Sequence, residues 1–239
     1  MRLAHLPFVK ICCIASVEEA RLAVSAGASA LGLVSAMPSG PGVIADALIA
    51  EIAAAVAPPM ATFLLTSRQD ADGIVAQHRL CRTTTIQLVD HVPPNELRKL
   101  RQALPGIGLV QVIHVSGEES VDEALAVAGL VDALLLDSGN PKLAVKELGG
   151  TGRTHDWRFS RRIRDEVAVP LFLAGGLNAG NVADAVAAVA PYGLDLCSSV
   201  RSEGRLDAAK LGEFFRALRV SSAASRARPG AHANPAAPR

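Results

Sequence analysis

Two hydrophobic periods alternate along this chain. Short continuous aliphatic runs, such as Leu109-Val110-Gln111-Val112-Ile113 and Ala133-Leu134-Leu135-Leu136, trade places with segments whose apolar residues return every three or four positions. The runs read as strands and the amphipathic segments as helices. The pattern predicts strands near 8–14, 29–35, 59–65, 84–89, 108–115, 131–136, 170–174 and 193–197. Helices are predicted near 16–26, 44–56, 69–79, 94–103, 119–128, 157–167, 179–190 and 206–218.

Strands that are aliphatic on both faces must be covered on both faces, as parallel strands between helices are. Eight β-α units in strict alternation over ~220 residues fit an α/β fold, a single-domain closed (β/α)8 TIM barrel. A doubly wound open sheet is the runner-up, because periodicity does not register closure. The barrel is expected to occupy residues 1–219. From Ser221 onward the chain turns to Ala, Pro, Arg and Ser, so 220–239 reads as a disordered, solvated tail.

Composition narrows the partners. A formal charge of +1 gives no general reason to expect nucleic acid or an anionic membrane surface, and 3% aromatic content offers bases few stacking platforms. No apolar run approaches the ~18 residues that would cross a bilayer, and Met1 to Pro7 is too short and broken for a signal sequence. The 4 cysteines form no spaced framework and no Cys-x-x-Cys pair. Reduced thiols and a cytoplasmic location are the expectation.

Candidate chemistry lies at strand ends. The first strand, Phe8-Val9-Lys10-Ile11-Cys12-Cys13-Ile14, runs into Ser16-Val17-Glu18-Glu19, which has the spacing of a capping box and predicts a helix start. Alternation puts Lys10 and Cys12 on one face, where an ammonium two residues below a thiol favours the thiolate. The other reading of Cys12 is a small buried hydrophobe.

The sixth strand ends in Leu136-Asp137-Ser138. A carboxylate beside a leucine run is costly to desolvate, so Asp137 must reach a solvent cleft or stay protonated and available as a general acid. Its plain alternative is a strand-end aspartate capping the following loop. Long connections follow the second strand (Ser35 to Gly42) and the sixth (Asp137 to Asp156), on the edge where barrel enzymes place their chemistry.

After the seventh strand, Gly175-Gly176 lets backbone approach a ligand, and Asn178 is expected to cap the next helix. After the eighth come Cys197-Ser198-Ser199. Loops at these two places build phosphate sites in many barrels, although a Gly-Gly pair also makes ordinary turns. A second cluster, Gly149-Gly150-Thr151-Gly152-Arg153, is no P-loop and reads as a flap over a phosphorylated substrate or as a solvent loop. The 6 histidines show no ligand spacing, so no metal is expected. Ser198 and Ser199 lack the surroundings of a hydrolase nucleophile.

Four pieces in order now carry a likeness: Val9-Lys10-Ile11-Cys12, Leu136-Asp137-Ser138, Gly149 to Gly152 leading to Asp156-Trp157, and Leu173-Ala174-Gly175-Gly176-Leu177-Asn178 with Asn181-Val182. Together they resemble the phosphoribosylanthranilate isomerase family of tryptophan biosynthesis, over roughly residues 8 to 218. The resemblance implies a cofactor-free, metal-free barrel that performs an Amadori rearrangement of an N-linked ribosyl phosphate, an aldose-ketose isomerisation. It implies Asp137 as the general acid that opens the furanose and Cys12 as the general base that removes the C2 proton. It also implies a phosphate cradle at Gly175, Gly176, Ser198 and Ser199. Lys10, Gln87, Arg153 and Arg201 stand as further substrate contacts.

The departures concern the aglycone side. The family's Lys-Ile-Cys-Gly becomes Lys10-Ile11-Cys12-Cys13, and Ser-Pro-Arg becomes Ser39-Gly40-Pro41-Gly42 with no cation. Gln-Leu-His-Gly becomes Gln87-Leu88-Val89-Asp90, and Ser-Gly-Val-Glu becomes Ser198-Ser199-Val200-Arg201. Arg153 and Arg201 are the candidates to replace the missing arginine. Two rivals remain at this level: a barrel that keeps the phosphate site without turnover, or acts on another aminoaldose phosphate, and an aldolase or epimerase needing a Schiff-base lysine or a metal.

Overall fold

The computed structural model describes residues 6–139 and 152–227. Eight parallel strands close into a barrel in sequence order, β1 (Phe8–Ile11), β2 (Ala30–Val34), β3 (Ala61–Thr66), β4 (Thr85–Leu88), β5 (Gly108–His114), β6 (Ala133–Asp137), β7 (Leu171–Leu173) and β8 (Gly193–Leu196). Closure is made by β1 pairing with β8, Lys10 standing opposite Asp195 and Ile11 opposite Leu196. The open sheet is thereby ruled out. Eight helices alternate with the strands: α1 (Val17–Ala26), α2 (Asp46–Ala55), α3 (Ala71–Cys81), α4 (Pro94–Ala103), α5 (Glu119–Ala128), α6 (Trp157–Glu166), α7 (Val182–Val189) and α8 (Ala208–Ala227).

Strand alternation sorts the side chains into two cores. Outward residues such as Ile11, Leu31, Leu33, Leu64, Leu134 and Leu136 pack against the helices, and inward ones such as Ala30, Val34, Phe63, Leu65, Val112, Leu135 and Phe172 fill the barrel. Burying an aliphatic side chain of this size is worth about 1.5–3 kcal/mol, so the alternation alone fixes which face of each strand looks inward. It therefore fixes which strand-end residues emerge at the mouth.

Local signals explain the element ends. Ser16 Oγ accepts from Glu19 N at 3.2 Å, as the capping box requires. The return arm differs: Glu19 Oε2 takes Ala15 N at 3.0 Å. Asn178 is not the helix cap that the sequence suggests. Its Oδ1 accepts from Gly180 N at 2.8 Å in a turn, and α7 starts at Val182, with Asn181 at the cap position.

A small hairpin, β9 (Arg201–Ser202) with β10 (Arg205–Leu206), inserts between β8 and α8. Helix α8 runs on to Ala227, past residue 219, where composition puts the end of the barrel. Residues 228–239 lie outside the described residues, as do Gly149, Gly150 and Thr151 of the expected flap.

Candidate active site

The carboxyl ends of the strands surround a cavity lined by Cys12, Asp137, Gln87, Asp195, Gly175, Gly176, Ser198 and Ser199, among others. The thiol singled out in strand one and the acid singled out in strand six thus open into the same space. The two loops expected to hold phosphate form part of its wall.

Cys12 follows β1 on the inward face, above Lys10. Gly32 on β2 makes room for both: a Cβ there would lie 2.9 Å from Cys12 Sγ and 3.0 Å from Lys10 Nζ. Lys10 is fully buried, its Nζ 2.8 Å from Asp195 Oδ2 and 5.5 Å from the centroid of the Phe63 ring. Burial pulls this lysine's pKa down, but Asp195 first and Cys12 next more than offset it, so the ammonium is held. For Asp195 burial outweighs the contact and pushes the carboxyl up. A 2.8 Å contact between a fully buried ammonium and a carboxylate at the cavity floor favours the ion pair, which is the form consistent with the lysine's direction.

Lys10 does not line the cavity. It sits fully buried beneath the floor, and its contact with Cys12 is electrostatic.

The Cys12 thiol is pulled below its ordinary pKa, first by a hydrogen bond from Cys13; burial opposes this, Lys10 adds to it and Asp195 subtracts. Cys13 is pushed up in return, by its bonds to Cys12 and Cys197. Cys13 stands at φ +62°, the left-handed region that favours glycine. The motif that this stretch resembles has glycine at this position.

Asp137 ends β6 half-buried at the mouth, and its Oδ1 accepts from Ser138 N at 2.7 Å. Ser138 Oγ donates to Arg153 O at 2.7 Å, which ties the strand-six rim to the far end of its loop. That loop packs on the glycine pair. Gly176 has φ +61°, and a Cβ there would come within 2.8 Å of Arg153 C and Thr154 N. The Gly-Gly signal therefore reports a close backbone approach as well as a cavity wall.

Arg153 contributes its carbonyl to this contact, while its side chain is exposed and does not line the cavity. Arg201 is committed elsewhere as well. Its Nη1 and Nη2 donate to Glu19 Oε1 and Oε2 at 3.1 and 2.9 Å, and it also reaches the Cys13 carbonyl. Neither side chain lines the cavity in this structure, and Arg201 is held by a carboxylate that also clasps α1 to the hairpin. The second-strand loop brings Met37, Ser39, Gly40 and Pro41 to the cavity, and among the described residues no lysine or arginine lines it.

Three buried oxygens in the cavity wall, Gln87 Oε1, Asp195 Oδ1 and Ser199 Oγ, have no hydrogen-bond partner among the described residues. Leaving such groups unpaired costs about 1–3 kcal/mol each, the signature of atoms that await a polar ligand. Asp195 was not singled out from sequence. Its signal is an aspartate inside Leu194-Asp195-Leu196, on the inward face that also carries Cys197. Cys197 is a further cavity residue that the sequence reading left unassigned, and its Sγ donates to Cys13 Sγ at 2.8 Å.

Comparison with known proteins follows the same line. A family model described as N-(5'phosphoribosyl)anthranilate (PRA) isomerase matches residues 9–217. The N-(5'-phosphoribosyl)anthranilate isomerase of Methanocella arvoryzae is 35% identical over 215 residues, covering 89% of this chain and 98% of that protein. The isomerase of the same name from Halorubrum lacusprofundi is 35% identical over 208 residues, 86% of this chain and 94% of its own length.

Among solved structures, phosphoribosyl anthranilate isomerase from Thermotoga maritima superposes with a TM-score of 0.76 at 27% identity, over 89% of this chain and 98% of that one. A phosphoribosyl anthranilate isomerase in complex with reduced 1-(o-carboxyphenylamino)-1-deoxyribulose 5-phosphate gives 0.74 at 25% identity, with the same coverage.

Proposed function

The chain belongs to the N-(5'-phosphoribosyl)anthranilate isomerase family, and from that premise we propose that Cys12 and Asp137 are the base and acid of its reaction. The chain is an aldose-ketose isomerase of tryptophan biosynthesis, converting N-(5-phosphoribosyl)anthranilate to the 1-deoxyribulose 5-phosphate aminoketose by an Amadori rearrangement. The observation that carries the residue assignment is the shared cavity: a thiol favoured as thiolate and a half-buried carboxyl open into one space beside two loops rich in backbone amides.

The steps follow from that arrangement. Asp137 protonates the ribose ring oxygen, the C1–O bond breaks, and the anilino nitrogen forms an imine with C1. The Cys12 thiolate then takes the proton from C2, giving an enolamine that tautomerises to the ketone. Each proton transfer by a positioned group is worth about 10²–10⁴ in rate. Lys10 keeps the base anionic from below, and Cys13 does so from the side. The substrate phosphate lies against Gly175, Gly176, Ser198 and Ser199, where the unpaired Ser199 hydroxyl donates to it. Asp195 Oδ1 and Gln87 Oε1 accept from ribose hydroxyls.

A base that must be a free thiol needs a reducing compartment, and all 4 cysteines are free; the cytoplasm is the proposed site of action. Among the described residues no helix is long and apolar enough to cross a membrane.

The test is a steady-state fluorescence assay that follows loss of N-(5'-phosphoribosyl)anthranilate. Cys12→Ala and Asp137→Asn each abolish turnover while a product analogue still binds. Retained turnover in either variant overturns the assignment of that residue.

A further inference from the structure

The isomerase mechanism uses one of the three thiols at the mouth and leaves a close pair beside it. Cys13 and Cys197 follow β1 and β8, the two strands whose pairing closes the barrel, and Leu196 stands opposite Ile11 in that pairing. Their sulfurs are 2.8 Å apart, and both residues line the cavity. A disulfide bond is about 2.05 Å long, so bond formation asks for less than ~1 Å of movement. Cys197 is half-buried and open to a small oxidant, whereas Cys13 is buried behind it. The fourth cysteine, Cys81, is buried on α3 near the Asp46 carbonyl and takes no part.

We propose that Cys13 and Cys197 form a peroxide-sensitive dithiol, which closes to a disulfide across the β1–β8 seam and reversibly throttles the enzyme. The Cys197 sulfur attacks a peroxide oxygen; the O–O bond breaks, leaving a sulfenic acid on Cys197 and releasing one water. The Cys13 sulfur then attacks the sulfenic sulfur. The S–S bond forms as the S–O bond breaks, and the Cys13 proton passes to the departing hydroxide, which leaves as the second water. Two thiols lose two electrons and two protons, and one peroxide becomes two waters.

The consequence for activity rests on the assignment of Cys12 as base. Once linked, Cys13 is drawn toward β8 and away from the Pro41 carbonyl that its thiol reaches at 3.5 Å, which shifts the residue next to the base and the loop after β2. Cys197 also leads directly into Ser198 and Ser199, so the link ties the phosphate loop to β1. Family members with glycine in place of Cys13 lack this pair.

The experiment treats the reduced full-length protein with hydrogen peroxide, quenches with an alkylating agent and digests with trypsin without reduction. The expected product is a cross-link between the peptides 11–21 and 165–201. It forms in the wild type, Cys12→Ser and Cys81→Ser, and is absent in Cys13→Ser and Cys197→Ser. Isomerase activity falls by roughly tenfold or more in step with the link and returns with dithiothreitol. In Cys197→Ser the loss that tracks the cross-link is absent, and what remains is the oxidation of the Cys12 thiolate itself.

A wild type that yields no cross-link, or a link that persists in Cys13→Ser, overturns the pair. A link that leaves activity unchanged overturns the throttle. Failure of Cys12 as base shows separately, as turnover in unoxidised Cys12→Ser, and leaves the mass-spectrometric result standing.

Discussion

Lys10 Nζ lies 2.8 Å from Asp195 Oδ2 beneath the barrel mouth, and that same ammonium shares with the Cys12 sulfur the space that a Cβ on Gly32 would need. The pair therefore serves two masters: it satisfies a buried carboxylate, and it biases a thiol toward its anion. Replacing Lys10 separates them. Lys10→Met leaves Asp195 buried and unpaired at a cost of about 3–5 kcal/mol, read as a fall in unfolding free energy by urea titration. It also removes a cation that pulls the Cys12 pKa down. The pH midpoint of Cys12 alkylation should rise, and the acid limb of kcat/KM should move up with it.

Cys13→Gly tests what a thiol does where glycine would be unstrained. At φ +62° a side chain costs about 1–2 kcal/mol, so the substitution recovers backbone strain while losing the packing of a buried sulfur. The thermal midpoint should stay within a few degrees of wild type, by about 5 °C at most. The acid limb of activity should still shift upward, because the Cys13 donor to Cys12 is gone. A shift downward would mean that Cys13 does not support the thiolate.

Gly176→Ala strikes the wall from the other side. An added Cβ would come within 2.8 Å of Arg153 C and Thr154 N, backbone atoms of the loop after β6, and the residue sits at φ +61°. That loop must move, carrying with it the carbonyl that holds Ser138 beside Asp137. Misplacement by ~1 Å costs up to about 10²-fold in rate, so kcat/KM should fall at least tenfold with only a modest loss of stability. The assay and a melting curve on the same sample separate the two effects.

Glu19 predicts an acid-sensitive clasp. Burial pushes its carboxyl up, but Arg201 and the Leu206 and Ala15 amides outweigh that and hold it below the usual carboxylate range. A group with a depressed folded pKa contributes stability above its unfolded value, about 4.3 for Glu, and loses it as pH falls through the folded value. The melting temperature should therefore drop on going from about pH 6 to about pH 3. Glu19→Gln should start lower and show a shallower drop.

The eight β-α units were legible because parallel strands buried on both faces leave aliphatic runs that no amphipathic helix imitates. The mouth residues Cys12 and Asp137 were legible because strand alternation and strand ends together say what faces the cavity. The hairpin at 201–206 was not, since two residues per strand leave no period to detect. Nor was the fate of the charges. Lys10 and Asp195 are 185 positions apart, and Arg201 and Glu19 are 182 apart, so only the closed barrel shows that both cations are spoken for. A sequence counts arginines; it takes the fold to show which of them are committed.

Among the described residues no lysine or arginine lines the cavity on the aglycone side, and one can be supplied. The third position of the family's Ser-Pro-Arg element falls on Pro41, which lines the cavity between Gly40 at φ +109° and Gly42 at φ +77°. Both glycines already hold the loop in its turn, and an arginine can adopt the backbone angle that proline fixes. Pro41→Arg would set a guanidinium beside the anthranilate carboxylate, where a charge-assisted pair is worth about 1.5 kcal/mol or more. KM should fall about tenfold with kcat nearly unchanged, because the carboxylate is equally charged in ground and transition states and the gain is uniform binding. An unchanged KM would mean that the carboxylate points away from this loop and that the missing arginine has no counterpart here.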